Sequence, residues 1–229
     1  MVFFFDPFYF IVVLIPTILI SAGVQLWLNR TYATWSRVPN HSGLTGLQVG
    51  RVLFQRTSLR PIGLEVTPGE LSDHFDPGAN VVRLSEPVAG VPSVASLAVT
   101  AHELGHVQQH QTGSILMKAR GALVPALRFS PTLSYLCILA GLVMNLSGLF
   151  YLGIFFFFLM VIFSIMTVPI EFDASRRAFR LLEEAGLLVD ETDRRGARAM
   201  LTAAGFTYVA AAVTAILQLL YYLALARRD

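Results

Sequence analysis

The chain has 229 residues, of which 55% are apolar and 14% charged, with a mean hydropathy of +0.62. That length is enough for one compact domain plus membrane structure, and the balance excludes an ordinary soluble domain and points to membrane spans. A net charge of +2 on scattered basic residues gives no nucleic-acid signal, and the lone Cys137 excludes both a disulfide framework and a cysteine zinc site.

Phe8 to Leu28 is a run of 21 residues without a charge. As a helix it covers roughly 30 Å, the hydrocarbon thickness of a bilayer. A cleaved signal peptide fits less well: Asp6 replaces the usual positive charge, and no A-x-A site follows. We therefore read a first transmembrane helix over 8–28, kinked at Pro16, which membrane helices tolerate.

The region 29–128 is polar by comparison. Thr34 to Gly50 is rich in turn residues, and Leu44 to Arg56 carries apolar residues at helical spacing. Leu64–Val66 and Val81–Leu84 are short β-type runs and predict a small hairpin or sheet. Between them lies LSDHFDPGAN. Its plain reading is a set of turns made by Asp73 and Asp76-Pro77-Gly78. Its functional reading has His74 projecting toward a site and helping to bind substrate.

Ser93 to Gln111 lacks proline, and its one glycine is Gly105, so it should form a helix capped by Ser93. Within it, His102 and His106 are four apart and share a face. Both imidazoles can turn to one ion, while Glu103 can reach a water there as general base, the logic of H-E-x-x-H. The bland alternative is a helix with two surface histidines. His110 lies about 12 Å along the axis from His102, too far to share a zinc ion on an unbroken helix. It reads as a solvated or interfacial histidine. The metzincin pattern fails as well, because its later Gly and His fall on Gln109 and Thr112.

Phe129 to Ile170 is 42 residues without a charge. One helix of that length would be about twice as long as the bilayer core, so the segment must fold back on itself. Asn145-Leu146-Ser147-Gly148 supplies turn residues, which predicts a transmembrane hairpin over 129–170. The segment 171–202 is charged, and 203–226 is a further uncharged run, the fourth span. Fifteen of the 17 Lys and Arg residues fall in the two polar regions. The positive-inside rule places both in the cytoplasm, with the protein multi-pass in the plasma (inner) membrane. The tail Arg227-Arg228-Asp229 works against this orientation.

A third metal ligand must come from downstream, where Glu171, Asp173, Glu183, Glu184, Asp190, Glu191 and Asp193 are the candidates. Most sit in charged clusters typical of solvated faces. Glu171 differs as the first charge after the long apolar run, and is preferred.

HELGHVQQH, LSDHFDPGANVVRLSEPV, VPIEFDASRRAF and LTAAGFTYVAA, in this order, are together similar to the YugP-like neutral zinc metallopeptidases of membranes. The resemblance runs from about Gly43 to about Ala212 and looks distantly like the HtpX-type membrane proteases. It implies a mainly α membrane protein: four transmembrane helices with a cytoplasmic zincin-like α+β core of the gluzincin kind. It also implies one zinc per chain on His102, His106 and Glu171, with Glu103 as base. Many such enzymes place Asp four residues after the third ligand, where it can orient a zinc-bound histidine. Here that place is Ser175, which leaves Asp173, Ser175 and Arg176 as candidates for supporting the site.

The function expected is peptide-bond hydrolysis near the cytoplasmic membrane surface, on protein or peptide substrates that include membrane proteins, with the lipid bilayer as the other partner. His74 is the first candidate for stabilising the oxyanion, with Tyr208 and Arg176 behind it. The strand near Val81–Leu84 could offer its edge to an extended substrate. The rival is a zinc-binding membrane scaffold without activity. Ser93–Gln111 is too polar for intramembrane proteolysis, and the uncharged spans argue against a metal transporter.

Overall fold

The computed structural model describes residues 6–227, so the Arg228-Asp229 end of the tail lies outside the described residues. Helix α1 is Pro7–Trp35. Pro16 has no N–H to offer the Val12 carbonyl. The preceding stretch Phe10–Leu14 is π-helical, with the Ile15 N–H bonded back to the Phe10 carbonyl. The chain continues through α2 (Gly46–Arg56), β1 (Gly63–Thr67), β2 (His74–Asp76), β3 (Val81–Ser85) and α3 (Glu86–Gly90). Then follow α4 (Val94–Gln111), α5 (Ile115–Leu127), α6 (Ser130–Val143), α7 (Ser147–Glu184) and α8 (Glu191–Ala226). These elements form two compact units, and α1, α7 and α8 each contribute to both.

Among the described residues, one unit comprises 6–25, 118–169 and 207–227. Ile138, Phe150 and Ile154 are buried at its centre, packed on Leu219 and Tyr222. Much of its surface is apolar, with Tyr135, Val143 and Phe155 exposed, as expected of side chains that meet lipid rather than water. Helices α1, α7 and α8 are each long and apolar enough to cross a membrane. The predicted turn is present: Asn145 takes a left-handed conformation (φ 56°), and the Leu146 N–H closes onto the Gly141 carbonyl. Gly141 then lets the two arms touch, since a side chain there would meet the Phe150 backbone.

The first arm of that hairpin differs from expectation. Its helix α6 matches the expected stretch, but α5, in the region read as cytoplasmic, precedes it, and the two are bent by 50° at a short break. Pro125 and Pro131 flank the break and remove two backbone donors. At 14 residues α6 alone is short of the bilayer core, so a fourth crossing exists only if the bent pair makes it together. The segment 171–202 likewise forms no separate element. It is the end of α7 and the start of α8, joined around Gly186 (φ 69°).

The other unit comprises residues 26–117 and 170–206. Its core is Leu53, Val82, Leu84, Leu97, Leu104, Leu181 and their neighbours. Thr45 and Gln48 form a capping box at the start of α2, and the Ser93 hydroxyl accepts the Ser96 N–H at the start of α4. The three strands form a mixed sheet in the order β1-β3-β2, with β1 parallel and β2 antiparallel to β3.

The sheet changes two sequence readings. His74–Asp76 is a strand rather than only turn. Asp76 does make a turn, accepting the Gly78 and Ala79 N–H groups, but Asp73 instead grips the Ser85 backbone N–H and hydroxyl. The second is a correction: Val81–Leu84 is the central strand, hydrogen-bonded on both sides, so it has no edge to offer a substrate. Its alternation of buried residues is broken because both faces are covered.

Helices α4 and α7 touch through their backbones. A Cβ on Gly105 would run into the Ala174 carbonyl, whereas one on Gly121 would meet nothing. Gly105→Ala should therefore lower the melting temperature in detergent, by the equivalent of roughly 1–3 kcal/mol, while Gly121→Ala should not. An unchanged melting temperature in Gly105→Ala would show that this contact is not tight.

Candidate metal centre

The helix α4 presents His102 and His106 on one face, as their spacing requires, and α7 brings Glu171 opposite them. His102 Nε2 is 3.2 Å and His106 Nε2 3.3 Å from the same Glu171 oxygen, Oε2. The two imidazole rings lie edge to face, 4.9 Å apart. One ligand atom from each of the three residues falls within 4.8 Å of the others. Glu171 is buried and both rings nearly so.

The far side of each ring is also engaged. Gln109 Nε2 donates to the Ile170 carbonyl and to Asp173 Oδ2, each at 2.8 Å. That fixes the amide, so its oxygen must be the atom facing His106 Nδ1, 3.0 Å away. His106 therefore donates from Nδ1, and Nε2 is the nitrogen it turns toward Glu171. Asp173 is steadied in turn by Arg177 at 2.7 Å. On His102, Nδ1 lies 3.3 Å from the Ser175 hydroxyl.

These residues fit a zinc ion on their own geometry. Zinc bonds near 2.0–2.1 Å in a tetrahedron put neighbouring ligand atoms about 3.3 Å apart, matching the two nitrogen–oxygen distances. Two imidazoles and a carboxylate are a standard donor set for a zinc site that keeps a fourth position for water. Outer hydrogen bonds from both Nδ1 atoms are what such ligands need to hold their tautomer.

Electrostatics favour a cation at the same place. Glu103, beside His102 on α4, is buried, and burial pushes its carboxyl pKa up. The charges of His102 and His106 work against that rise, whereas Asp73 and Glu171 add to it. For His106, burial alone would lower the pKa, but the Glu171 carboxylate and Glu103 outweigh it and raise it. Burial would raise Glu171, but hydrogen bonds from the two histidines hold it well below the usual carboxylate range.

The other expected residues are placed as follows. Ser175 reaches His102 directly and Asp173 reaches His106 through Gln109. Arg176 has no hydrogen bond to the trio among the described residues. His74 is not brought to it either: its ring bonds the Ser72 carbonyl at 2.8 Å and lies near Arg83. Tyr208 belongs to the other compact unit. His110 is exposed and meets Phe75 edge-on, as expected of a non-ligand. Gln109 was missed. The signal available was its place three residues after His106, on the same helical face.

The sequence profile of the family described as "Putative neutral zinc metallopeptidase" matches residues 10–227. The chain is 33% identical over 213 residues to the "Putative membrane protease YugP" of Bacillus subtilis (strain 168), covering 93% of this chain and 94% of that protein. No solved structure matches.

Gln109→Leu keeps the volume but leaves His106 Nδ1 without its acceptor. It should weaken zinc binding by about 10–100-fold in a chelator competition, while His110→Ala leaves affinity unchanged. Equal affinity in Gln109→Leu and wild type would show that the amide does not set the tautomer.

Proposed function

The chain belongs to the neutral zinc metallopeptidase family, and from that premise we propose that it is a membrane zinc endopeptidase that hydrolyses peptide bonds. The observation that carries this reading is the convergence of His102 Nε2 and His106 Nε2 on one Glu171 oxygen, beside the buried Glu103. His102, His106 and Glu171 would hold one zinc ion per chain. When bound, zinc supplies Lewis acidity: it lowers the pKa of a water and polarises a carbonyl.

The chain's own groups do the rest. A Glu103 carboxylate oxygen takes the proton of the attacking water and returns it to the leaving amine. Burial raises its proton affinity, which suits a group that must hold that proton between the two steps. Ser175 and Gln109 keep the two imidazoles aimed. His74 is not given the oxyanion role, because its ring is turned to Ser72.

We place the site on the cytoplasmic side of the inner membrane, close to its surface. Support comes from the basic residues: with α5 and α6 as one bent pass, which itself carries Lys118, Arg120 and Arg128, twelve of the 17 still fall in the two polar regions on one side of a four-pass arrangement. Glu171 follows the last residue of an uncharged run directly, so the substrates that fit are protein segments near the bilayer.

Full-length protein purified in detergent should carry near one zinc and cleave an unfolded protein such as casein. Glu103→Gln should keep the zinc and lose turnover by about 10²–10⁴-fold, and Glu171→Ala should lose the zinc. Full zinc in Glu171→Ala would mean that the third ligand lies elsewhere. Stoichiometric zinc with no cleavage of any peptide, and no effect of Glu103→Gln, would favour the scaffold.

A further inference from the structure

A second site lies on α7 and α8, within the unit that holds the metal centre. There the end of α7 and the start of α8 line an open cleft of about 370 Å³. Three arginines line it: Arg176 and Arg180, four apart on α7, and Arg198 on α8. All three are exposed and form no ion pair among the described residues. The one acid in the wall, Glu183, is already held by Arg194 at 2.7 Å. The cleft thus presents three arginines against one carboxylate in its wall, and only Arg176 is near enough to another acid, Asp173, to act on it.

The remaining walls are chemically mixed. Phe172, Phe179 and Leu201 are apolar, while Thr202 offers a hydroxyl; Ser175 also lines the wall, its own hydroxyl turned to His102. The Arg198 guanidinium stacks 5.2 Å from the centre of the Phe179 ring, which holds its fork in place. A plain solvated stripe of arginines needs neither a cavity nor aromatic walls.

Position narrows the ligand. Arg176 is about 9 Å along α7 from Ile170, where the uncharged run ends. Thr202 immediately precedes Ala203, where the next uncharged run begins. An anion that arrives here with an apolar body attached can satisfy both kinds of wall. We propose that this cleft binds the phosphate of an anionic phospholipid, gripped by Arg176, Arg180 and Arg198 with its glycerol end against Phe172 and Phe179. Arginine forks match phosphate oxygens two at a time, and basic pockets between membrane helices are suited to such headgroups. The site goes beyond the peptidase reading and does not depend on it.

The test uses the full chain in detergent, titrated by native mass spectrometry with dioleoylphosphatidylglycerol, dioleoylphosphatidylcholine or glycerol 3-phosphate. Wild type should bind one phosphatidylglycerol at least ten-fold more tightly than phosphatidylcholine. The double variant Arg180→Gln/Arg198→Gln should lose that preference, and Arg180→Lys/Arg198→Lys should retain part of it. Unchanged zinc content and melting temperature in both variants would show that they fold. Glycerol 3-phosphate should neither bind at comparable concentration nor compete. No preference in wild type, or an equal preference in the folded Gln variant, would overturn the proposal. Binding of glycerol 3-phosphate as tight as that of the lipid would overturn the lipid as its source and leave a site for soluble phosphates.

Discussion

At Gly105 the backbone of α4 lies against the Ala174 carbonyl of α7, a contact that any side chain would prevent. The metal centre is arranged around that point. His102 and His106 stand three residues before and one after Gly105. Glu171 and Ser175 stand three before and one after Ala174. With the two backbones fixed in register, each helix delivers its pair to the same side, and the observed contacts follow: His102 with Glu171 and Ser175, His106 with Glu171. A glycine that looks like a flaw in a helix is here what lets the two helices come close enough to share an ion. The hydrogen bond from Gln109 to the Ile170 carbonyl ties the same helices one turn further along.

Charge around this register is layered with care. Glu103 and Glu171 sit beside two imidazoles, and Asp73 is near enough to bear on Glu103. A third carboxylate set directly on His106 would add to that negative charge. The chain instead interposes a neutral amide, Gln109, and keeps Asp173 one bond further out, where Arg177 answers it. The ring is held in its tautomer without the charge of the acid that ultimately anchors it.

The shared face of His102 and His106 was legible because a spacing of four is a statement about one helix and needs no tertiary knowledge. Glu171 was legible for another reason: a charge directly after 42 uncharged residues has few places to go. Ser175 was visible as a departure from a family pattern, and the structure puts its hydroxyl where the departure mattered. Gln109 was hidden, since its meaning depends on the Ile170 carbonyl and Asp173, which only folding brings near. The sheet was half visible. Two strands could be read from β-branched runs, but their parallel pairing, with β2 added on the far side, is set by the crossover and not by local pattern. The break between α5 and α6 was written in Pro125 and Pro131 and falls at Arg128, where the uncharged run begins; what the run did not show is that its first helix is too short to cross alone.

The three residues of the cluster are split between segments 69 residues apart in the chain, with a long uncharged run between them. Synthesis runs from the N-terminus, so a growing chain that has reached Ile170 already owns both histidines and Glu103 but has no third ligand. The two-histidine fragment grips zinc weakly and cannot hold it in a defined geometry. The order of residues along the gene product therefore sets when the cluster can close: only after the long uncharged run between its members has been made and packed.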